Sequence, residues 1–192
     1  MRVGRSGRGG SKQKAGLREL LPNRPSVSRV FIRFALPRDA ARLIADGVFN
    51  SPPPTSETWE ARIARWLAEQ QAGRRVMLIA EDASGLLGTV QLIFKFPAGY
   101  NDPEAANGMD IAMVESLRTR ANASPMIANQ LISDIQALAK KRNIKTITFI
   151  VPMNNNSGIQ QVKSWGDIGG IENDIAGGIA PDDEQRGKLY YL

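Results

Sequence analysis

The 192-residue chain contains no cysteine and no histidine. Without cysteine, the sequence excludes a disulfide framework, a thiol nucleophile and a thiolate zinc site. Without histidine, it excludes the catalytic triads and general bases that depend on an imidazole. Together the two absences remove many enzyme mechanisms, and we expect no metal site.

Long apolar runs are also missing. No stretch approaches the roughly eighteen consecutive apolar residues that a membrane-spanning helix needs, and no apolar segment follows the first arginines as in a secretory signal. We therefore expect no membrane partner and a cytoplasmic location. Organelle targeting is the alternative, because transit segments are also rich in arginine and poor in acidic residues.

The positive charge is concentrated at the N-terminus. The chain carries 25 Lys and Arg against 19 Asp and Glu, which gives a net charge of +6. Eight of these cations lie within residues 1–30, where Glu19 is the only acidic residue, so the remainder of the chain is nearly neutral. Residues 1–27 combine the cations with Gly and Ser, which predicts a basic flexible tail. Nucleic acid is a possible partner of this tail, because Lys and Arg displace counterions from phosphates.

Residues 28–192 show the alternating patterns of one folded domain. Runs rich in β-branched and aromatic residues predict strands at residues 30–34, 76–80, 86–96, 110–119, 144–151 and 188–192. The segment 110–151 has a strand, a helix and a strand in succession, and such a segment requires a parallel crossover. We therefore predict an α/β fold, with a central mixed β-sheet and helices on both faces.

Helical patterns separate these strands. In one helix, Ser56 is the predicted N-cap and Gly73 the stop, and Trp59 and Trp66 face the core. The other predicted helices begin at Pro37, after Ser124 as N-cap with Pro125 as the first helical residue, and at Gly158.

Four motifs follow one another along this domain. They are I-R-F-A-L-P-R-D-A at residues 32–40, L-I-A-E-D at 78–82 with G-L-L-G-T-V-Q-L at 85–92, V-E-S-L-R at 114–118, and Asn155 with Gly158. In this order they resemble the GNAT superfamily of acetyl-CoA-dependent N-acetyltransferases, over residues 28–170. The resemblance implies a GNAT-like acyltransferase domain at residues 28–192.

The resemblance also implies a reaction. A GNAT enzyme transfers the acetyl group of acetyl-CoA, its co-substrate, to an amine of a small molecule or a protein, and it needs no histidine, cysteine or metal. Glu115 matches the glutamate often found on the fourth strand of this family and is the candidate general base. The alternative is a surface glutamate paired with Arg118 or Arg120.

The cofactor-binding residues implied by the resemblance lie in three segments. The backbone of the fourth strand would line the pantetheine arm, and the N-terminus of the next helix would face the pyrophosphate. Asn155 matches an asparagine near the cofactor arm, although an Asn-rich turn explains it equally well. The candidates on the strand are Leu117, Arg118 and Thr119, and those on the helix are Met126, Ile127 and Ala128.

The sequence departs from the family pattern at the pyrophosphate loop and at the position of a catalytic tyrosine. Residues 123–128 contain no glycine, and Pro125 removes one amide donor. Val162 stands where a tyrosine commonly protonates the thiolate. Two hypotheses therefore stay open: an N-acetyltransferase, and a weak or inactive GNAT-like domain that acts as a binding module with a basic tail. The acceptor and the oligomeric state, a dimer included, are also left open.

Overall fold

The computed structural model describes residues 29–53, 55–96, 105–152, 165, 173–175 and 187–191. The helices are α1 (Asp39–Ala45), α2 (Trp59–Gln71) and α3 (Met126–Lys141). The strands are β1 (Phe31–Phe34), β2 (Arg75–Asp82), β3 (Gly85–Ile93), β4 (Ile111–Thr119), β5 (Thr146–Pro152), β6 (Asn173–Ile175) and β7 (Gly187–Tyr191).

The strands form one mixed sheet in the order β1-β2-β3-β4-β5-β7-β6. Strands β1 to β4 pair antiparallel with their neighbours, whereas β4 and β5 are parallel and are connected through α3. The predicted α/β fold and its parallel crossover are therefore confirmed. Strand β6 was not predicted, since three residues are too few to give a periodic pattern.

Apolar side chains bury both faces of the sheet. On one face, α3 contributes Leu131 and Ile135 to a core that includes Val76 and Leu78 of β2. On the other face, α1 and α2 form a second core with the alternate β2 residues, such as Met77. This alternation is expected of a strand that is covered on both sides. It confirms the prediction of helices on both faces.

The starts of two helices differ from the sequence prediction. Helix α2 begins at Trp59, and the side chain that caps it belongs to Thr58, which accepts a hydrogen bond from the Ala61 amide at 3.3 Å. The prediction of Ser56 as the cap was therefore wrong. Helix α3 begins one residue later than predicted, with Pro125 at the N-cap position. The short helix predicted at residues 158–165 lies outside the described residues except for Trp165.

An ion-pair network ties the first strand and helix to β2. The guanidinium of Arg33 donates to Asp39 at 2.6 and 2.9 Å and to Glu81 at 2.7 and 3.0 Å. Burial of Asp39 acts to raise the pKa of its carboxyl, but hydrogen bonds from Arg33 and from the Leu36 amide outweigh burial and lower it. The hydrogen bond from Arg33 likewise lowers the pKa of Glu81. Both carboxylates are therefore stabilised in their charged form.

Replacing the buried carboxylate of this network tests its contribution to stability. We expect Asp39→Asn to lower the free energy of unfolding at pH 7 by about 2 kcal/mol, because a charged acceptor of the Arg33 guanidinium is lost. Since the folded-state pKa of Asp39 is depressed, its contribution is present above the unfolded-state pKa near 4 and is lost as the pH falls further. Urea unfolding at pH 7 and pH 3 measures this contribution. The difference in the free energy of unfolding between wild type and variant should be smaller at pH 3. An equal difference in the free energy of unfolding at both pH values would show that the charge of Asp39 does not stabilise the fold.

No helix among the described residues is long and apolar enough to cross a membrane.

Candidate functional site

Strand β4 contains a β-bulge at its centre. Glu115 is the register partner of Gln91, and Arg118 is the partner of Thr89. Two residues of β4, Ser116 and Leu117, therefore lie opposite the single residue between Thr89 and Gln91 on β3. Ser116 has a φ of 51°, which is uncommon for a residue other than glycine. Bulges of this kind bend a strand and redirect its side chains, and they are frequent beside active sites.

Strands β4 and β5 are paired only before the bulge. Their pairing covers Ile111–Val114 and Thr146–Phe149, whereas β5 pairs with β7 along Thr148–Pro152. No described strand pairs with the β5-facing edge of β4 from Glu115 onward. An unpaired strand edge presents backbone N–H and C=O groups in a row. The three candidates Leu117, Arg118 and Thr119 lie on this open edge, as the sequence implied for residues that line an extended ligand.

Strand β3 approaches the same stretch of β4 very closely. A Cβ atom on Gly88 would lie 2.8 Å from the Arg118 carbonyl oxygen, closer than a side chain tolerates. Glycine at this position therefore lets the bulged end of β4 lie tightly against β3. The backbone of β4 at the open edge therefore lies in tight contact with the backbone of β3.

The first turn of α3 holds the other predicted cofactor residues. Ile127 and Ala128 are buried against the sheet, whereas the Met126 side chain is 72% exposed. The Met126 amide donates to the Ser124 Oγ at 3.3 Å, and the Ile127 amide donates to the Ser124 carbonyl at 2.9 Å. This turn therefore offers the positive end of the helix dipole, with two of its amides already bonded within the chain. Asn155 and Val162 lie outside the described residues.

Glu115 lies on the sheet face that α2 covers, and its partner is Arg75. The Arg75 Nη1 donates to the Glu115 carboxylate at 3.1 Å. The alternative that Glu115 pairs with Arg118 or Arg120 was wrong in its choice of partners, because the antiparallel register brings β2 and β4 to either side of β3. Arg75 holds the Glu115 carboxylate from one side. The Glu115 side chain is 34% exposed, so a ligand is able to reach the carboxylate from the opposite side.

Arg75 is the centre of a buried polar cluster that the sequence did not reveal. Its guanidinium, 4% exposed, bonds the Glu69 carboxylate at 2.6 Å and the side-chain oxygen of Gln91. The Gln91 Nε2 is buried and has no hydrogen-bond partner among the described residues. A buried donor without a partner is uncommon in native structures, so this amide marks the polar cluster as an unusual feature of the core. The available signal was a glutamine within the otherwise apolar run of β3.

An aromatic cluster lies beside these polar groups on the same face of the sheet. The rings of Phe49, Trp59 and Trp66 lie 4.5 to 6.3 Å apart. Trp59 and Trp66 are 7% and 2% exposed, which confirms that they pack in the core. The Arg118 side chain extends over this cluster, with its guanidinium carbon 4.7 Å from the Trp59 ring centroid and 5.3 Å from that of Phe49.

No group of three or more acidic side chains in the described part of the chain is arranged to hold a metal ion.

Solved structures with the same architecture identify the fold of this chain. No family model and no curated protein matches the sequence. Among solved structures, an N-acetyltransferase from Staphylococcus aureus Mu50 matches with a TM-score of 0.62 at 21% identity, over 86% of this chain and 98% of that one. The ribosomal-protein-alanine N-acetyltransferase from Brucella melitensis matches with a TM-score of 0.62 at 18% identity, over 84% and 98%. The chain has the GNAT fold.

A third structure with the GNAT fold extends the comparison to a complex. The PaiA N-acetyltransferase from Thermoplasma acidophilum, in complex with coenzyme A, matches with a TM-score of 0.58 at 14% identity, over 84% of this chain and 98% of that one. The fold implied by the four sequence motifs is therefore confirmed. Identities this low establish the architecture alone.

Proposed function

We propose that this protein is an N-acetyltransferase that uses acetyl-CoA to acetylate an amine of a small molecule or a protein. The observation that carries the proposal is the open, bulged edge of β4, with the Glu115 carboxylate beside it. The GNAT fold supports the same conclusion, since the structures it matches are N-acetyltransferases. The chemistry also suits a chain that has neither cysteine nor histidine.

The site residues fit the pantetheine arm of acetyl-CoA. The backbone of Leu117, Arg118 and Thr119 on the open edge would bind its amides as a neighbouring strand would. The first turn of α3, from Met126, would place its positive dipole end at the pyrophosphate. The similar Thermoplasma enzyme was solved with coenzyme A, which supports this choice of cofactor. Acetyl-CoA supplies the activated acetyl group.

Glu115 would act as the general base. An amine acceptor is protonated at neutral pH and becomes nucleophilic only after losing a proton. The Glu115 carboxylate, fixed by Arg75 at 3.1 Å, is positioned to take that proton directly or through one water. The buried Arg75 and Gln91 restrict its movement, so the base keeps one orientation toward the open edge of β4.

Binding of acetyl-CoA is the primary test of this function. We expect isothermal titration calorimetry to give a micromolar dissociation constant, because in this proposal the open edge and the helix terminus would together bind the pantetheine arm and the pyrophosphate. Acetyl-CoA at a hundred times this constant should stabilise the protein by about 2.7 kcal/mol. Acetate, which lacks the pantetheine arm, serves as the control and should not bind. An acetyl-CoA titration without heat or thermal shift at millimolar concentration would reject the proposal.

The alternative is a binding module with the GNAT fold and little catalysis. The observation that favours it lies in the first turn of α3, where Pro125 has no amide and the Met126 and Ile127 amides are bonded to Ser124. Fewer donors then remain for a pyrophosphate. In this reading the basic residues 1–27 would bind a polyanion such as nucleic acid.

Deletion of residues 1–27 tests the alternative. If the tail is a nucleic-acid-binding arm, its removal should abolish retention of the protein on RNA or DNA, and retention of the full chain should fall as salt rises. The truncated protein should keep its thermal transition, which shows that the domain is intact. Retention that survives truncation would exclude the tail as the binding element.

A further inference from the structure

Arg118 is a partly buried cation for which the described residues supply no counter-charge. Its side-chain hydrogen bond goes to the Ser51 hydroxyl, from Nη1 at 3.2 Å, and its guanidinium otherwise rests on Phe49 and Trp59. No carboxylate in the described part of the chain lies within ion-pair distance of it. Three other arginines on this face of the sheet have such partners. Arg62 pairs with Glu57, Arg65 with Glu57 and Glu69, and Arg75 with Glu69 and Glu115.

The charged form of Arg118 is destabilised by its surroundings when no carboxylate pairs with it. A second guanidinium, that of Arg62, lies 5.7 Å from the centroid of the same Trp59 ring. Burial lowers the pKa of Arg118, and the charge of Arg62 lowers it further. A desolvated cation beside a like charge is stabilised when an anion is bound between or against them. Contact with aromatic rings offsets part of the cost but supplies no negative charge.

Arg118 and Glu115 lie on the same side of the sheet, beneath α2. Arg75 connects the two regions, because it bonds Glu115 and lies 5.7 Å from the Trp66 ring centroid in the cluster that holds Arg118. Since Glu115 and Arg118 pair with residues two apart on β3, the bulge places them about 7 Å from each other along the strand. A small ligand is therefore able to contact both side chains at once.

We propose that the acceptor is an amine that also carries a carboxylate, and that Arg118 binds this carboxylate while the amine faces Glu115. This inference rests on the proposed acetyltransferase function and specifies its substrate class. A guanidinium presents parallel N–H donors that match the two oxygens of a carboxylate. A polycationic acceptor is disfavoured, because Arg62 and Arg118 would repel its second charge.

Matched acceptors test the proposal. Acetylation of β-alanine and γ-aminobutyrate is compared with acetylation of their C-terminal amides, which keep the amine and lose the negative charge. We expect kcat/KM to favour the carboxylates by about ten- to hundredfold, the value of a charge-assisted hydrogen-bond pair. A tripeptide amide that begins with aspartate is tested alongside, so that free amino acids and acidic peptide N-termini are distinguished as sources of the carboxylate.

Two arginine variants complete the test. Arg118→Met keeps the apolar contact with Phe49 and Trp59, and it should reduce the preference for carboxylates to near unity by raising KM. Arg120→Met is the control, since Arg120 is bonded to Ser84 at the hairpin turn, and it should keep the preference. Equal rates for carboxylates and amides in the wild type would overturn the inference. So would an Arg118→Met variant that keeps the preference, or one that loses acetyl-CoA affinity instead.

Failure of the inference is separable from failure of the proposed function. Calorimetry of the wild-type protein with acetyl-CoA tests the proposed function without any acceptor. Binding of β-alanine and its amide, followed by NMR without cofactor, decides the role of Arg118 even if no acetylation occurs. Preferential binding of β-alanine that Arg118→Met abolishes would support the subsite, and equal binding of the two ligands would reject it.

Discussion

Glu115→Gln is expected to lower kcat for amine acetylation at pH 7 by about a hundredfold, because a positioned general base contributes at least that factor and an amide cannot accept the proton. Glutamine has nearly the same size as glutamate, and its oxygen is still able to accept the hydrogen bond from Arg75. The affinity for acetyl-CoA should therefore stay unchanged. Steady-state rates with saturating acetyl-CoA, measured together with calorimetry, provide the comparison.

The pH profile separates a base from a structural glutamate. As the pH rises toward the pKa of the acceptor amine, more of the amine is already neutral, so the deficit of Glu115→Gln should shrink. Glu60→Gln, at an exposed position on α2, is the control and should behave as wild type. If Glu115→Gln retains the wild-type rate at pH 7, Glu115 has only a structural role.

Arg75→Met is expected to give the largest loss of stability in the chain, about 3 to 5 kcal/mol, because it removes the closest partner of the buried Glu69 and leaves it the longer contact with Arg65 at 3.6 Å. The Glu69 side chain is only 4% exposed and receives both Nε and Nη2 of Arg75. Removing the guanidinium also frees Glu115 and Gln91, which it positions. Urea unfolding measures the change, and the rate of acetylation should fall with it.

Two further variants show whether the loss comes from the unpaired charge. The double variant Arg75→Met/Glu69→Leu should recover part of the stability, because a buried ion pair is often replaced by apolar residues with little cost. Arg65→Met, which breaks a more exposed pair with Glu57 and a longer contact with Glu69 at 3.6 Å but leaves Arg75 on Glu69, should cost no more than about 1 kcal/mol. An Arg75→Met protein within 1 kcal/mol of wild type would show that the cluster is dispensable.

Local patterns predicted most of the fold, and tertiary contacts decided the details. Hydrophobic periodicity correctly located the strands and helices of the two cores. The start of α2 was misplaced, because Ser56 and Thr58 are both good capping residues and sequence alone does not choose between them. In the structure, the Trp59 Nε1 donates to the Ser51 carbonyl at 2.6 Å, which fixes the path of the chain into the helix at Trp59.

The sequence proposed residues for the candidate site, but it did not predict the contacts that these residues make. Motif resemblance identified Glu115 and the segment Leu117 to Thr119, because these follow one another on a single strand. It did not identify Arg75 or Gln91, since each comes from a different strand. Their proximity to Glu115 depends on the register of β2, β3 and β4, which local sequence leaves undetermined.

The sequence alone determined which chemistries are excluded, where the charge lies and which fold class results, because composition and periodicity are properties of the chain itself. Only the tertiary structure decided which charges meet. It paired Glu115 with Arg75, forty residues away, and placed Arg118 on an aromatic surface, where no described carboxylate reaches it. The physical reason is that strand register and the bulge at Ser116 set these contacts, and both depend on packing across the whole sheet.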